Sequence, residues 1–127
     1  MKAKKGSISY YKKKCDILFS KIVRSVGKCE RCNSKDNLQC AHVVSRRHLS
    51  LRWDLKNALC LCVRHHLYWQ HKEPFEFTEW FKERYPYRYR YLAKKKNEIV
   101  SISLLDYQYI YEGLKLTWNS SRTKRTD

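Results

Sequence analysis

The sequence has no long apolar run, and its overall hydrophobic content is modest. No segment approaches the roughly 20 consecutive apolar residues that a membrane-spanning helix needs. The first thirty residues hold no apolar stretch of signal-peptide length, which argues against secretion. Only 43% of the 127 residues are hydrophobic, so we expect one domain with a small core. In such a core a structural metal would substitute for missing buried area.

Acidic residues are scarce along the whole chain. Asp and Glu number 12 against 28 Lys and Arg, which gives a formal net charge of +16. Residues 1–28 contain nine basic residues and one acid, Asp16, and residues 82–96 contain seven and one acid, Glu83. A field of this sign attracts polyphosphates, so a nucleic acid is the predicted partner. A ribosomal or RNA-binding protein and a membrane-surface protein are the weaker alternatives.

The six cysteines have the spacing of a metal site rather than of a disulfide framework. Cys29 and Cys32 form a Cys-x2-Cys pair, and Cys62 and His65 repeat the gap as Cys-x2-His. Four ligands of these types predict one structural zinc ion. They also favour a reduced, cytoplasmic location.

The other cysteines leave alternatives open. Cys60 competes with Cys62 for the zinc, but it would break the matching two-residue gaps, so the role of a small buried residue is favoured for it. Cys40 receives the same interpretation, since it would lie on one strand face with His42 and support it. Cys15 falls on the apolar face of a predicted helix and is expected in the core.

The periodicity of apolar residues predicts an α+β domain over residues 10–118. A flexible basic arm is predicted at 1–9 and a polar, disordered tail at 119–127. The predicted elements are a helix at 10–26, a cysteine turn at 29–37, a strand at 38–44, a polar loop at 45–56, a strand at 58–61 and a helix from 62 to about 71. Further helices are expected within 74–118: an aromatic-rich one between Pro74 and Pro86, and one at 99–117. Residues 87–97 alternate Tyr and Arg and receive no assignment.

A histidine on the first strand, an asparagine after the loop and a histidine on the next helix lie inside the frame of the zinc ligands: His42, Asn57 and His66. With the strings Leu-Gln-Cys-Ala-His-Val-Val-Ser-Arg-Arg (38–47) and Leu-Arg-Trp-Asp-Leu-Lys-Asn-Ala-Leu-Cys-Leu-Cys (51–62), this pattern resembles the HNH endonucleases, or ββα-metal nucleases. Among these it is most similar to phage HNH proteins, in particular the lambda-type NinG (Rap) recombination nucleases. The resemblance covers about residues 10–95. It implies a zinc-stapled ββα-metal core at about 28–73 with flanking α-helices.

The resemblance also implies an activity, the metal-dependent hydrolysis of DNA phosphodiester bonds. The protein would then be phage-encoded and act in DNA recombination or processing in the host cytoplasm. His42 matches the general base, which takes a proton from the attacking water. Asn57 matches the residue that ties the loop across the hairpin and orients the base. His66 matches a ligand of a catalytic Mg²⁺ or Mn²⁺ ion.

Two positions depart from the family pattern. Ala41 stands where many members have a further metal ligand, so the catalytic ion needs another partner; His71 is preferred, with Gln70 and Asn57 as other candidates. His65 stands where the family commonly has cysteine. Histidine is also an ordinary zinc ligand, so a Cys3His site remains possible. The missing metal ligand at position 41 leaves open an alternative from another class of protein, a zinc-stapled DNA-binding module without catalytic activity.

The loop after the first strand is basic. Three arginines there are predicted to contact phosphates, with a merely solvated loop as the alternative: Arg46, Arg47 and Arg52. His48 is predicted to be a loop histidine rather than a ligand, and Asp54 to cap the turn before Asn57. The Tyr/Arg run at 85–91 could stack on bases, or pack internally with a basic outer face.

Overall fold

The computed structural model describes residues 3–124, with side chains described through residue 120. The elements, in chain order, are α1 (Ile8–Arg24), β1 (Leu38–His42), a 3-10 helix (Leu55–Asn57), β2 (Ala58–Cys62), a π-helix (Arg64–Gln70), α2 (Pro74–Arg84), α3 (Pro86–Lys95) and α4 (Leu104–Lys124). The fold is α+β, as predicted, with a small two-stranded sheet. Within residues 3–124, none of the helices has the length and apolar character needed to cross a membrane.

The sheet is antiparallel and is covered by helices on both faces. Cys40 pairs with Cys60 at the centre of the ladder. Side chains alternate between the faces of a strand, so Cys60 packs against α1 and α4, whereas Leu59 and Leu61 pack against α2 and α3. Every residue of β2 is buried. The predicted flanking helices therefore enclose the sheet from two sides.

The first helix has clear start and stop signals. The side-chain oxygen of Ser7 accepts a hydrogen bond from the N–H of Tyr10 at 3.2 Å, which caps the N-terminus of α1. Gly27 follows the helix with a φ of 84°, a left-handed conformation that glycine adopts easily. The helix begins two residues earlier than predicted, within the predicted basic arm. Its buried face consists of Cys15, Phe19, Ile22 and Val23.

Residues 86–95 form α3, a helix whose bounds were not predicted from the alternating Tyr and Arg residues. Pro86 occupies the first helical position. The guanidinium of Arg88 donates hydrogen bonds to the carbonyl oxygens of Lys56 and Ala58, at 2.9 Å each. Tyr89 packs against the core cluster that contains Leu59. The packing interpretation of the Tyr/Arg run therefore holds for these side chains.

The C-terminal helix is longer than predicted. Helix α4 runs from Leu104 through Lys124 and so extends into the segment for which a polar, disordered tail was predicted. Residues 125–127 of that predicted tail, and residues 1 and 2 of the predicted arm, lie outside the described part of the chain.

Candidate metal centre and histidine cleft

The first pair of predicted zinc ligands lies in a tight turn at the edge of β2. Asn33 has a φ of 65°, a left-handed conformation that Asn tolerates, and its N–H donates to the carbonyl of Cys29 at 2.8 Å. The N–H of Glu30 donates to the Cys60 carbonyl at 2.8 Å, and its carboxylate accepts from the Cys60 N–H at 2.7 Å. These bonds fix the turn against the sheet. Sequence reasoning missed Glu30, because an edge-strand contact across 30 residues leaves no local pattern.

The four predicted zinc ligands come together. The ligand atoms of Cys29, Cys32, Cys62 and His65 all lie within 4.8 Å of one another. The two Sγ atoms of Cys32 and Cys62 are 3.8 Å apart. His65 Nδ1 lies 3.8 Å from Cys29 Sγ and 3.4 Å from Cys62 Sγ. Tetrahedral zinc, with bonds of about 2.3 Å to sulfur and 2.0 Å to nitrogen, sets such atoms roughly 3.5–3.8 Å apart. The cluster is therefore positioned to bind a metal ion and fits structural zinc.

Two thiols of this cluster have pKa shifts of opposite sign: burial raises the pKa of Cys62, whereas the pKa of Cys29 is lowered. Burial disfavours the thiolate of Cys29, yet hydrogen bonds from surrounding backbone N–H groups outweigh it and lower the pKa of this thiol. Burial, together with the charges of Arg31 and Arg64, lowers the pKa of His65. Zinc coordinates thiolates and neutral imidazole, so a bound ion would displace the thiol protons, whereas His65 is already biased to its neutral form.

The remaining cysteines lie outside this cluster. Cys15 and Cys60 are fully buried in the core cluster beneath α1, as predicted. Burial raises the pKa of Cys60 to about 11 and that of the half-buried Cys40 to about 12. Both thiols therefore stay protonated at neutral pH. The alternative in which Cys60 replaces Cys62 is wrong, since Cys62 supplies the ligand atom and Cys60 packs into the core.

Three predicted site histidines line one cleft of about 460 Å³ beside β1. His42 comes from the end of β1, and His66 and His71 come from the π-helix and the residue that follows it. Helix α1, strand β1 and the loop after β1 complete the lining with Asp16, Ser20, Cys40, Ser45 and Arg46. The tertiary structure thus gathers His42, His66 and His71 on one open surface.

The π-helix brings His66 and His71 side by side. In an α-helix, residues five apart point about 140° away from each other, at about 100° per residue. In a π-helix they share a hydrogen bond, and here the His71 N–H donates to the His66 carbonyl at 3.3 Å. The ring centroids are 4.7 Å apart. The pair of imidazoles therefore depends on a helix geometry that the sequence did not reveal.

Hydrogen bonding fixes the tautomer of His66. Its Nδ1 lies 2.7 Å from Oε1 of Gln39 on β1, and because this oxygen accepts, Nδ1 carries the proton. Nε2 is then unprotonated, as a metal ligand requires. Burial, with His71 and His42 nearby, lowers the pKa of His66 to about 4, so the ring is neutral. The role of Gln39 was not predicted from the sequence. The only signal there was a polar residue among the apolar positions of the strand.

His42 is held from two sides. Its Nε2 lies 3.0 Å from the carbonyl oxygen of Arg52, so Nε2 carries the proton and Nδ1 the lone pair. Phe19 of α1 stacks on the imidazole, with ring centroids 5.4 Å apart. Burial lowers the pKa of His42 below its ordinary value of 6.5. At neutral pH the ring is therefore a neutral base with one available nitrogen, Nδ1.

Asn57 makes the hydrogen bonds of a strut across the loop. Its Oδ1 accepts from the N–H of Val44 at 2.7 Å, and its Nδ2 donates to the carbonyls of Val44 and Leu51 at 3.0 and 3.2 Å. The side chain is fully buried, so Asn57 does not face the cleft. Gln70 is also buried, and its Nε2 donates to the His42 carbonyl at 2.8 Å. Of the three candidates for a second ion ligand, His71 is the one that lines the cleft.

Arg52 is bound inside the protein by Asp16 of α1. Its Nε and Nη2 donate to the two carboxylate oxygens at 3.0 and 2.6 Å, and the indole N–H of Trp53 donates to the same carboxylate at 2.9 Å. Only 13% of the Arg52 side chain is exposed. The predicted phosphate contact of Arg52 stays a prediction, because the partner seen is internal. Asp16 was not foreseen, since the pairing spans 36 residues.

The other predicted loop residues take three kinds of position. Arg46 lines the cleft and is exposed, and Arg47 is exposed in the same loop. His48 is a loop histidine whose Nδ1 donates to a backbone carbonyl at 3.2 Å, as predicted. Asp54 caps the 3-10 helix, also as predicted.

No protein-family model matches the chain, and comparisons with curated proteins and with solved structures find no match either. The class of protein therefore rests on the molecule itself. It is an α+β protein with a Cys3His cluster that can hold a metal, beside a histidine-lined cleft.

Proposed function

We propose that this protein is a metal-dependent DNA endonuclease of the HNH type that acts in the recombination or processing of DNA. The observation that supports this most is the shared cleft of His42, His66 and His71. In His42 a backbone carbonyl engages Nε2, and in His66 a side-chain carbonyl engages Nδ1. Both imidazoles are thus neutral, and a different nitrogen is unprotonated in each. Nδ1 of His42 is suited to accept a proton, and Nε2 of His66 is suited to bind a metal.

In this proposal His42 is the general base. Its Nδ1 takes a proton from a water molecule, whose oxygen attacks the scissile phosphorus as the 3′ oxygen departs. The lowered pKa of His42 keeps Nδ1 unprotonated at neutral pH. Asn57 holds the loop that carries Arg52, and the Arg52 carbonyl in turn holds His42 Nε2. Arg46 lines the cleft, and its exposed guanidinium would contact a phosphate there in this proposal.

His66 and His71 are the residues that would hold the divalent ion. When bound, the ion supplies positive charge to a non-bridging oxygen and to the departing 3′ oxygen. Imidazole suits transition-metal ions better than Mg²⁺, which prefers oxygen ligands. We therefore expect Mn²⁺, Co²⁺ or Ni²⁺ to support cleavage at lower concentrations than Mg²⁺.

A catalytically inactive zinc-stapled DNA-binding module is the second candidate. It is favoured by Ala41, which is fully buried and contributes no ligand beside His42. The deciding experiment is a cleavage assay on supercoiled and branched DNA with Mn²⁺ and with Mg²⁺. A metal-dependent DNA-nicking activity that co-purifies with the protein would support the endonuclease proposal. Tight DNA binding without cleavage of either form, with any of the ions, supports the binding module.

The charge of the protein predicts a steep salt dependence of DNA binding. If the +16 charge makes about six phosphate contacts, affinity should fall about 10³-fold between about 50 and about 200 mM salt. Arg46→Gln should reduce the slope of log affinity against log salt by about 0.9, because one contact is lost. Arg84→Gln removes the same charge from α2 and serves as the matched control. An affinity that barely changes with salt would contradict the electrostatic basis of DNA binding.

Asp16 is predicted to be a positioning residue for His42. Asp16→Asn removes the charge that holds Arg52, so the carbonyl that binds His42 Nε2 loses its support. We expect kcat to fall about tenfold with little change in KM, an effect within the range of a misplaced base. Both the Arg52 hydrogen bond and the Asp16 charge raise the pKa of His42. Their loss should therefore move the acid limb of the pH–rate profile to lower pH.

Asp36→Asn, in the exposed part of the cysteine turn, is the control for that experiment. It removes one carboxylate without touching Arg52, so both kcat and the acid limb should match wild type. A role of Asp16 in folding alone would lower the melting temperature of the Asp16→Asn variant without moving the limb, and that result would overturn the positioning role.

A further inference from the structure

A second groove, of about 420 Å³, lies between α1 and α4 and is separate from the histidine cleft. Three lysines and two aromatic side chains are among the residues that line it: Lys14, Lys21, Lys115, Tyr111 and Trp118. We propose that this groove binds one strand of a nucleic acid, with phosphates against the lysines and a base against the aromatic wall. This inference rests on the proposed function in one respect, since it takes nucleic acid as the partner.

Two of the three lysines of this α1/α4 groove, Lys14 and Lys115, are held in place by an aromatic ring. The ammonium groups of Lys14 and Lys115 lie 5.6 and 5.1 Å from the centroid of the Tyr111 ring. Such contacts restrict long side chains without neutralising them. Lys115 also lies 3.1 Å from the carboxylate of Glu112, but both side chains are exposed and a pair of this kind contributes little. The wall of the groove therefore keeps a positive charge that complements phosphate.

The groove and the cleft are joined by the outer surface of α1. Asp16 and Ser20 line the cleft, whereas Lys14 and Lys21 line the groove. At about 100° per residue, Lys13 and Arg24 project between these two faces, and both are exposed. The single acid of α1, Asp16, is engaged by Arg52 and Trp53 on the cleft side. A continuous basic surface thus leads from His42 across α1 to the groove.

The shape and chemistry of the groove favour a single strand over a duplex. A groove of about 420 Å³ has the size of a small-molecule site and can take a group such as one nucleotide, but it is too small for a duplex. Lysines interleaved with aromatic rings are typical of single-strand binding, in which phosphates are tracked and bases stack. A nucleic acid that crosses the outer surface of α1 would therefore enter the groove as an unpaired strand.

The test measures binding by the zinc-loaded full chain in the His42→Ala background, so that no cleavage occurs. The probe is a short fluorescent oligothymidine, compared with a duplex of equal length, over a range of salt concentrations. The groove variant is Lys14→Gln/Lys115→Gln, which removes two charges. The matched control is Lys35→Gln/Lys94→Gln, which removes two exposed lysines from the cysteine turn and α3.

We expect the groove variant to reduce the slope of log affinity against log salt for the oligothymidine by about 1.4, or about 0.7 per lost contact. The control variant should keep the wild-type slope. Equal slopes for both variants would overturn the proposal, because the effect would then be one of net charge. A loss confined to the duplex would overturn the choice of a single strand.

The result is independent of catalysis. If wild type never cleaves DNA but the groove variant alone binds oligothymidine with the smaller slope, the endonuclease proposal falls and the groove stands. If wild type cleaves and the two variants bind alike, the groove falls and the endonuclease stands.

Discussion

Replacement of His42 by alanine is expected to abolish DNA cleavage while fold, zinc content and DNA affinity stay close to wild type. In the proposed mechanism the imidazole Nδ1 acts only when the proton leaves the attacking water, so its loss should remove rate rather than binding. A general base contributes about 10²- to 10⁴-fold to a rate, and we expect kcat to fall by at least about 10²-fold. Single-turnover cleavage of supercoiled DNA measures this loss directly.

Two variants frame that experiment. His48→Ala removes a histidine of the same loop region whose hydrogen bond goes to a backbone carbonyl away from the cleft, and it should cleave like wild type. His66→Ala should also lose cleavage, but through loss of the divalent ion, so excess Mn²⁺ should restore part of the rate. Excess Mn²⁺ should not rescue His42→Ala. Cleavage by His42→Ala at the wild-type rate would place the base elsewhere and refute the HNH assignment.

Replacement of Cys29 by serine is expected to unfold the protein or destabilise it severely. Zinc binding contributes about 10 kcal/mol or more to the folding of small zinc domains, and a domain of this size has only about 5–15 kcal/mol in total. Loss of one thiolate should therefore remove most of the net stability. Thermal unfolding by circular dichroism and zinc content by elemental analysis measure the two effects together.

Cys40→Ala is the matched control for the zinc site, because Cys40 is a half-buried cysteine outside the cluster. It should retain one zinc per chain and unfold cooperatively, with only a modest loss of stability. A chelator should lower the melting temperature of wild type towards that of Cys29→Ser. Folded wild-type protein that carries no zinc after careful purification would refute the structural zinc.

Much of the framework could be predicted because its signals are local. The Cys-x2-Cys and Cys-x2-His pairs predicted the four residues of the metal cluster. Two residues separated by a two-residue gap in a tight turn can direct both side chains to the same ion. The apolar spacing of α1 and the position of Pro74 predicted two helices to within a few residues. The two strands followed from the apolar residues on either side of the polar loop.

The missed features depend on helix geometry or on contacts between distant residues. A helix was expected from residue 62, but its π form, which pairs His66 with His71, leaves no signature in the apolar pattern. Helix α3 was missed because alternating Tyr and Arg resembles the period of a strand, whereas packing of Leu92 and Tyr89 on the core decides for helix.

The sequence by itself determined the members of the candidate metal cluster, the basic character and the order of the central elements, because these depend on residue types and short spacings. Only the tertiary structure decided which nitrogen of each histidine is available and which charged groups are engaged. The carbonyl of Arg52 selects Nδ1 of His42, and Gln39 selects Nε2 of His66. Asp16 engages Arg52 across 36 residues. Hydrogen bonds act over about 3 Å, so their partners are known only once the packing of α1 and the π-helix against the hairpin brings them together.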